Sequence, residues 1–162
     1  MKKRYRLKVV LISAAFVLCA ALTAGFIYYE SNNVITFQHA VGLTPSQIAK
    51  VGIKSTRSVP GGVELVTTDP ERINAIYNEL KGEKLDKNWN PKPLAGWPYS
   101  INFYPKQGKG WINFTITPSI TFNKYEGYTG PGVQGSYVLE NRDQVYQILR
   151  SFYISLGGKV VE

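Results

Sequence analysis

Residues 97–117 read WPYSINFYPKQGKGWINFTIT, and this stretch decides the fold class. On either side of Pro105-Lys106-Gln107-Gly108-Lys109-Gly110, apolar and polar residues alternate. That is the period of a strand, whose successive side chains point to opposite faces of a sheet. The Pro/Gly-rich centre reads as the tip of a β-hairpin. In the first strand Trp97, Tyr99, Ile101 and Phe103 share one face, and Ser100, Asn102 and Tyr104 the other. In the second, Ile112, Phe114 and Ile116 oppose Trp111, Asn113, Thr115 and Thr117. One face belongs to a core; the other combines flat rings with amides and hydroxyls.

The same patterning extends in both directions. Toward the C-terminus, 119–125 and 136–140 read as strands around a Gly/Tyr-rich loop. Asn141 then reads as the cap of a helix with Val145, Ile148, Leu149 and Phe152 on one face and Gly157-Gly158 at its end. Toward the N-terminus, Pro91, Pro93 and Pro98 with Trp89 and Trp97 mark a loop, entered by a short strand at 84–89. Asp69-Pro70-Glu71-Arg72 opens a helix: Asp69 can accept a bond from a free N–H, Pro70 suits the first turn, and Glu71 complements the positive end of the dipole. Ile73, Ile76, Tyr77 and Leu80 follow the i, i+3, i+4, i+7 rule, and Gly82 ends the helix. Before it, 34–40 (VITFQHA) is β-branched and aromatic and reads as a strand. Thr44-Pro45-Ser46 turns the chain or opens one helical turn, and 48–56 with 63–67 forms a hairpin about Pro60-Gly61-Gly62. The expected class is α+β, with about six to seven antiparallel strands and two helices on one face, preceded by one N-terminal transmembrane helix.

That N-terminal segment is the strongest functional signal. Lys2, Lys3, Arg4, Arg6 and Lys8 precede 21 uncharged residues, 9–29 (VVLISAAFVLCAALTAGFIYY). As a helix this run spans about 30 Å, the thickness of a bilayer's hydrocarbon core. The cations lie on its amino side, and the next basic residue after it is Lys50, so residues 1–8 are expected in the cytoplasm, 9–29 as a signal anchor and 30–162 outside. The alternative is secretion after cleavage near Ala24 or Gly25. Retention is preferred because the run exceeds the usual apolar core of a signal peptide, and Leu22 or Thr23 would occupy the −3 position. Cys19 follows Leu18 deep inside the run and reads as a small apolar helix residue.

The composition excludes several classes. Of 19 basic residues five belong to the leader, so the net charge of +8 falls to +3 for the rest of the chain, spread without a stripe. Nucleic acid is not an expected partner. A single cysteine rules out a disulfide scaffold, and no metal-ligand spacing or cofactor fingerprint occurs. The one imidazole, His39, has no Cys or Ser companion and reads as an ordinary strand residue. Asp69, Glu71 and Asp143 are explained by helix starts, and Glu79 and Glu83 by solvated surface. A carboxylate pair such as Glu64 with Glu126 is the remaining route to a hydrolase. Lys106 to Gly110 lacks the strand-loop-helix context of a phosphate loop.

All three Trp fall between 89 and 111, among several Tyr and Phe. Tyr104, Trp111, Asn113 and Thr115 on one sheet face, with Tyr125 and Tyr128 of the Tyr125-Glu126-Gly127-Tyr128 loop, form the candidate ligand site. Rings beside amides and hydroxyls stack on sugars or receive an extended peptide.

Pro45-Ser46-Gln47-Ile48 leading into an Ile/Val-rich strand, followed by Thr67-Thr68-Asp69-Pro70-Glu71-Arg72-Ile73 opening a helix, resembles small extracytoplasmic domains of Gram-positive bacteria. Those domains are carried behind a signal anchor or a lipoprotein signal. The resemblance implies a cell-envelope location and this fold class, and it brings no catalytic residues. The expected function is a membrane-anchored, non-catalytic interaction or sensory module for an envelope protein, by strand addition at a sheet edge. The alternative is a module that binds cell-wall polysaccharide. Exposure of Trp111 separates the two.

Overall fold

The computed structural model describes residues 2–55, 62–87, 99–116 and 120–160, with the side chains of 12–29 in the N-terminal helix. The chain divides into two compact units, Met1–Val34 and Ile35–Glu162. The first is helix α1 (Lys2–Asn33), longer at both ends than the apolar run. Its window Ile12–Tyr29 is long and apolar enough to cross a membrane, and its side chains are exposed.

The second unit is α+β. Strands β1 (Val34–Thr36), β2 (Ile48–Ser55), β3 (Glu64–Thr67), β4 (Lys84–Lys87), β5 (Tyr99–Pro105), β6 (Trp111–Ile116), β7 (Ile120–Tyr125) and β8 (Gly135–Leu139) form one eight-stranded sheet. Its order is β1-β4-β8-β7-β6-β5-β2-β3. The sheet is antiparallel, with β5 to β8 as a meander and β2 with β3 as a hairpin. Helices α2 (Phe37–Val41), α3 (Pro70–Leu80) and α4 (Arg142–Ser155) complete it.

Alternation works strand by strand. Tyr99, Ile101 and Phe103 of β5 pair with Ile116, Phe114 and Ile112 of β6, and all six are buried. A bulge between Ile48 and Lys50 explains why Ile48 and Val51, three residues apart, are both buried. The amphipathic faces of α3 (Ile73, Ile76, Tyr77, Leu80) and α4 (Val145, Leu149, Phe152, Tyr153) join the same core. Tyr99 meets Tyr146 and Tyr153 of α4 at 5.4 and 5.9 Å between ring centroids.

Several expectations need correction. The strand count is eight in a single sheet, because α3 carries the chain from β3 at one edge to β4 near the other, where β4 pairs with β8. The first strand stops at Thr36, whose hydroxyl accepts the His39 N–H at 3.3 Å and opens α2. Phe37, Ala40 and Val41 then turn inward together, and Gly42 (φ 68°) ends the helix in the left-handed region. His39 is therefore an exposed helix residue, and three helices, not two, contribute to the core of this unit. Asn141 makes no side-chain capping bond; its Nδ2 donates to Glu83 Oε2 at 3.4 Å. Glu83 is correspondingly buried instead of solvated. Asp69 does cap α3, accepting the Glu71 N–H at 2.9 Å, and Thr44-Pro45-Ser46 does open one 3-10 turn. The loop holding Trp89, Pro91, Pro93, Trp97 and Pro98, most of the Pro60-Gly61-Gly62 turn, Thr117 and Ser119 lie outside the described residues.

Candidate functional site

The sheet face opposite the helices carries the polar half of each alternating strand. Because Trp111 is opposite Tyr125, Asn113 opposite Asn123 and Asn102, and Thr115 opposite Thr121 and Ser100, like chemistry lines up across strands. The result is a ladder of rings at one end and a row of amides and hydroxyls beside it.

The ladder is Tyr104–Trp111–Tyr125. Tyr104 and Trp111 centroids are 5.3 Å apart, and Trp111 and Tyr125 are 5.6 Å apart with ring planes 18° from parallel. Direct face-to-face contact would need only ~3.5–4 Å, so Trp111 and Tyr125 are offset, while Tyr104 is tilted 38° to Trp111. Lys50 Nζ caps the Tyr104 end, 4.1 Å from the ring centroid. Trp111 is half-buried and Tyr125 is exposed.

The polar row is internally satisfied. Asn113 donates through Nδ2 to Ser100 Oγ and to Asn102 Oδ1, both at 2.6 Å, and its Oδ1 accepts from Thr115 Oγ1 at 2.7 Å. Asn102 Nδ2 donates in turn to Glu64 Oε1, as does the Tyr104 hydroxyl at 3.1 Å. Donors on β5 and β6 therefore run in sequence toward one carboxylate on β3. Glu64 reaches them across β2 because Gly52 lies between: a Cβ there would collide with Glu64 Oε1. Ser100, Asn102 and Asn113 are buried by this packing although they belong to the open face. A depression of 330 Å³ is lined by Lys54, Ser100, Asn102, Trp111, Asn113, Thr115 and Tyr125.

Of the residues expected at the site, Tyr104, Trp111, Asn113, Thr115 and Tyr125 come together here. Tyr128 does not: it is buried in the core cluster, its hydroxyl without a hydrogen-bond partner among the described residues and its pKa raised by burial. Glu64, Gly52, Lys54, Asn102 and Ser100 are additions that sequence reading missed. The spacing Lys50-Gly52-Lys54 on one face of β2 was visible, but the register that sets Glu64 opposite Lys54, within reach of the gap at Gly52, was not. Chains of this kind are often recognised by their relatives. Comparison with protein-family models, curated proteins and solved structures finds no match. The chemistry must therefore be read from this face itself. Among the described residues no three His, Cys, Asp or Glu gather as metal ligands.

Two outcomes follow from Glu64. The Tyr104 phenol is pushed up to about 12, first by burial, then by the charge and hydrogen bond of Glu64. The folded state thus holds this proton more tightly than the unfolded chain, whose tyrosine ionises near pH ~10. Stability from Tyr104 is complete below pH ~10 and is lost as pH rises toward 12. In thermal unfolding scans, Tyr104→Phe should shrink the alkaline decline without abolishing it, since burial also raises Tyr77, Tyr128 and Tyr137. Gly52→Ala should expel the Glu64 carboxylate, cost about 1–3 kcal/mol through broken hydrogen bonds, and lower the Tyr104 titration. Denaturant unfolding and ultraviolet titration of the phenols read both effects, and an unchanged Tyr104 titration would sever the proposed link to Gly52.

Proposed function

We propose that this chain is a single-pass envelope protein, amino terminus inside, whose outer domain is a non-catalytic binding module for cell-wall polysaccharide. The observation that carries the ligand class is the Tyr104–Trp111–Tyr125 ladder, two of whose rings, Trp111 and Tyr125, line one depression with Asn113, Thr115, Ser100 and Asn102. A sugar presents an apolar ring face and a hydroxylated rim, and this surface offers aromatic area at Trp111 and Tyr125 beside the part-exposed Thr115 and Lys54. A partner protein adding a strand at β3 would use the edge backbone and would leave the ladder idle. The partial exposure of Trp111 favours the sugar.

The address rests on α1. Its apolar window follows five cations, and the positive-inside rule keeps that flank in the cytoplasm. The resemblance of the turn and cap motifs to Gram-positive extracytoplasmic domains supports the same location. An intact mass that includes residues 1–29 would support the anchor; a chain starting after Ala24 or Gly25 would replace it with a cleaved signal.

The ligand class is tested by sedimenting the full chain, in detergent micelles, with insoluble wall polysaccharide at low and high salt. Retention at high salt is the expected result, because stacking is little screened. Loss in salt alone would reduce the interaction to the net +8 charge of the full chain. No retention at either salt would return the protein-partner reading.

A further inference from the structure

Among the described residues lining the depression, Lys54 is the only charged side chain. Its cross-strand partner in the β2–β3 register is Glu64. An opposite charge directly across a ladder would ordinarily pair with it. Here the Glu64 carboxylate is instead drawn over Gly52 to Asn102 and Tyr104. The Lys54 side chain is thereby left without an ion-pair or hydrogen-bond partner among the described residues. Lys50 is engaged over the Tyr104 ring, outside this depression, whereas the Lys54 ammonium in its lining has no such partner among the described residues.

Resting on the polysaccharide reading above, we propose that the ligand is an acidic saccharide. A sugar ring lies against Trp111 and Tyr125, its hydroxyls lie along the part-exposed Thr115, and an anionic substituent accepts from Lys54 Nζ. A carboxylate and a phosphodiester share the required chemistry, a compact anion that accepts a charge-assisted hydrogen bond. The network that holds Glu64 away from Lys54 is what makes the ammonium available, so the Gly52 gap serves specificity as well as packing.

The test is calorimetric titration of the full chain in detergent micelles, at low ionic strength, with three probes: a galacturonate hexamer, its methyl ester, and a glycerol-phosphate polymer. The acid should bind about tenfold more tightly than the ester, a ratio typical of one charge-assisted contact. Lys54→Met should remove that ratio by weakening the acid far more than the ester, and Lys54→Arg should keep it. Lys54-dependent binding of the glycerol-phosphate polymer in preference to the uronate would overturn the saccharide, because that polymer has no sugar ring to lie against Trp111. Equal binding of acid and ester, both abolished by Trp111→Ala, would overturn the acidic preference and leave the polysaccharide reading standing. Binding of no probe, or binding indifferent to Trp111→Ala, would overturn both.

Discussion

Replacing Phe37 with Ala is expected to cost about 3–5 kcal/mol, the range for deleting a fully buried phenyl ring. Phe37 has no exposed surface, and its ring meets Phe114 at 4.9 Å, Phe122 at 5.8 Å and Phe103 at 5.9 Å, two of these edge-on. Its helix, α2, has five residues, too few to hold together through its own hydrogen bonds. Packing of Phe37, with the Thr36 cap, fixes α2, and α2 in turn fixes the loop beyond β7, since the Val133 N–H donates to Ala40 O at 2.8 Å. Losing the ring therefore frees two segments. With a total stability of about 5–15 kcal/mol usual for a domain, the variant should sit near its unfolding midpoint under mild denaturant. Phe37→Leu, which keeps most of the volume, should cost about 1–2 kcal/mol. Denaturant unfolding followed by tyrosine and tryptophan fluorescence measures both, and near-equal stability of the Ala variant and the parent would refute the role given to α2.

Trp111→Ala should have the largest effect on binding. Trp111 is the middle rung, with Tyr104 on one side and Tyr125 on the other, so its removal opens a gap that neither neighbour fills. A central aromatic anchor is worth about 2 kcal/mol or more in a binding site, roughly a thirtyfold loss of affinity. The cost to folding should be smaller than for Phe37, because Trp111 is only half-buried and its neighbours Ile112 and Phe114, on the other face, are untouched. Separate readings of stability and binding thus distinguish a lost contact from a lost fold.

Much of this architecture was legible in the sequence because local signals agreed with the tertiary outcome. Asp69 and Pro70 start α3 where capping chemistry requires it, and the alternation in 99–116 sorts β5 and β6 by face. The errors share a cause. At 34–40 the β-branched composition outweighed a cap and a left-handed glycine, Thr36 and Gly42, that spell a short helix. Asn141 satisfies cap statistics but is taken by Glu83, a contact between residues 58 positions apart that no local pattern encodes. The site divides in the same way. Its rings could be placed by periodicity alone, whereas Glu64 and Lys54 acquire their roles only through the β2–β3 register and the missing side chain at Gly52. Tyr128 was grouped with the other aromatics by nearness in sequence; the turn at Tyr125–Tyr128, closed by a 3.1 Å backbone bond, sends it into the core.

The central claim is that the aromatic ladder on the open sheet face binds the ligand. Its most direct test is sedimentation of wild type and Trp111→Ala side by side with insoluble wall polysaccharide at high salt, with the melting temperature of each variant measured in the same micelles. The account predicts that wild type pellets with the polysaccharide while a folded Trp111→Ala chain stays in solution. A folded Trp111→Ala chain that pellets as fully as wild type would contradict it.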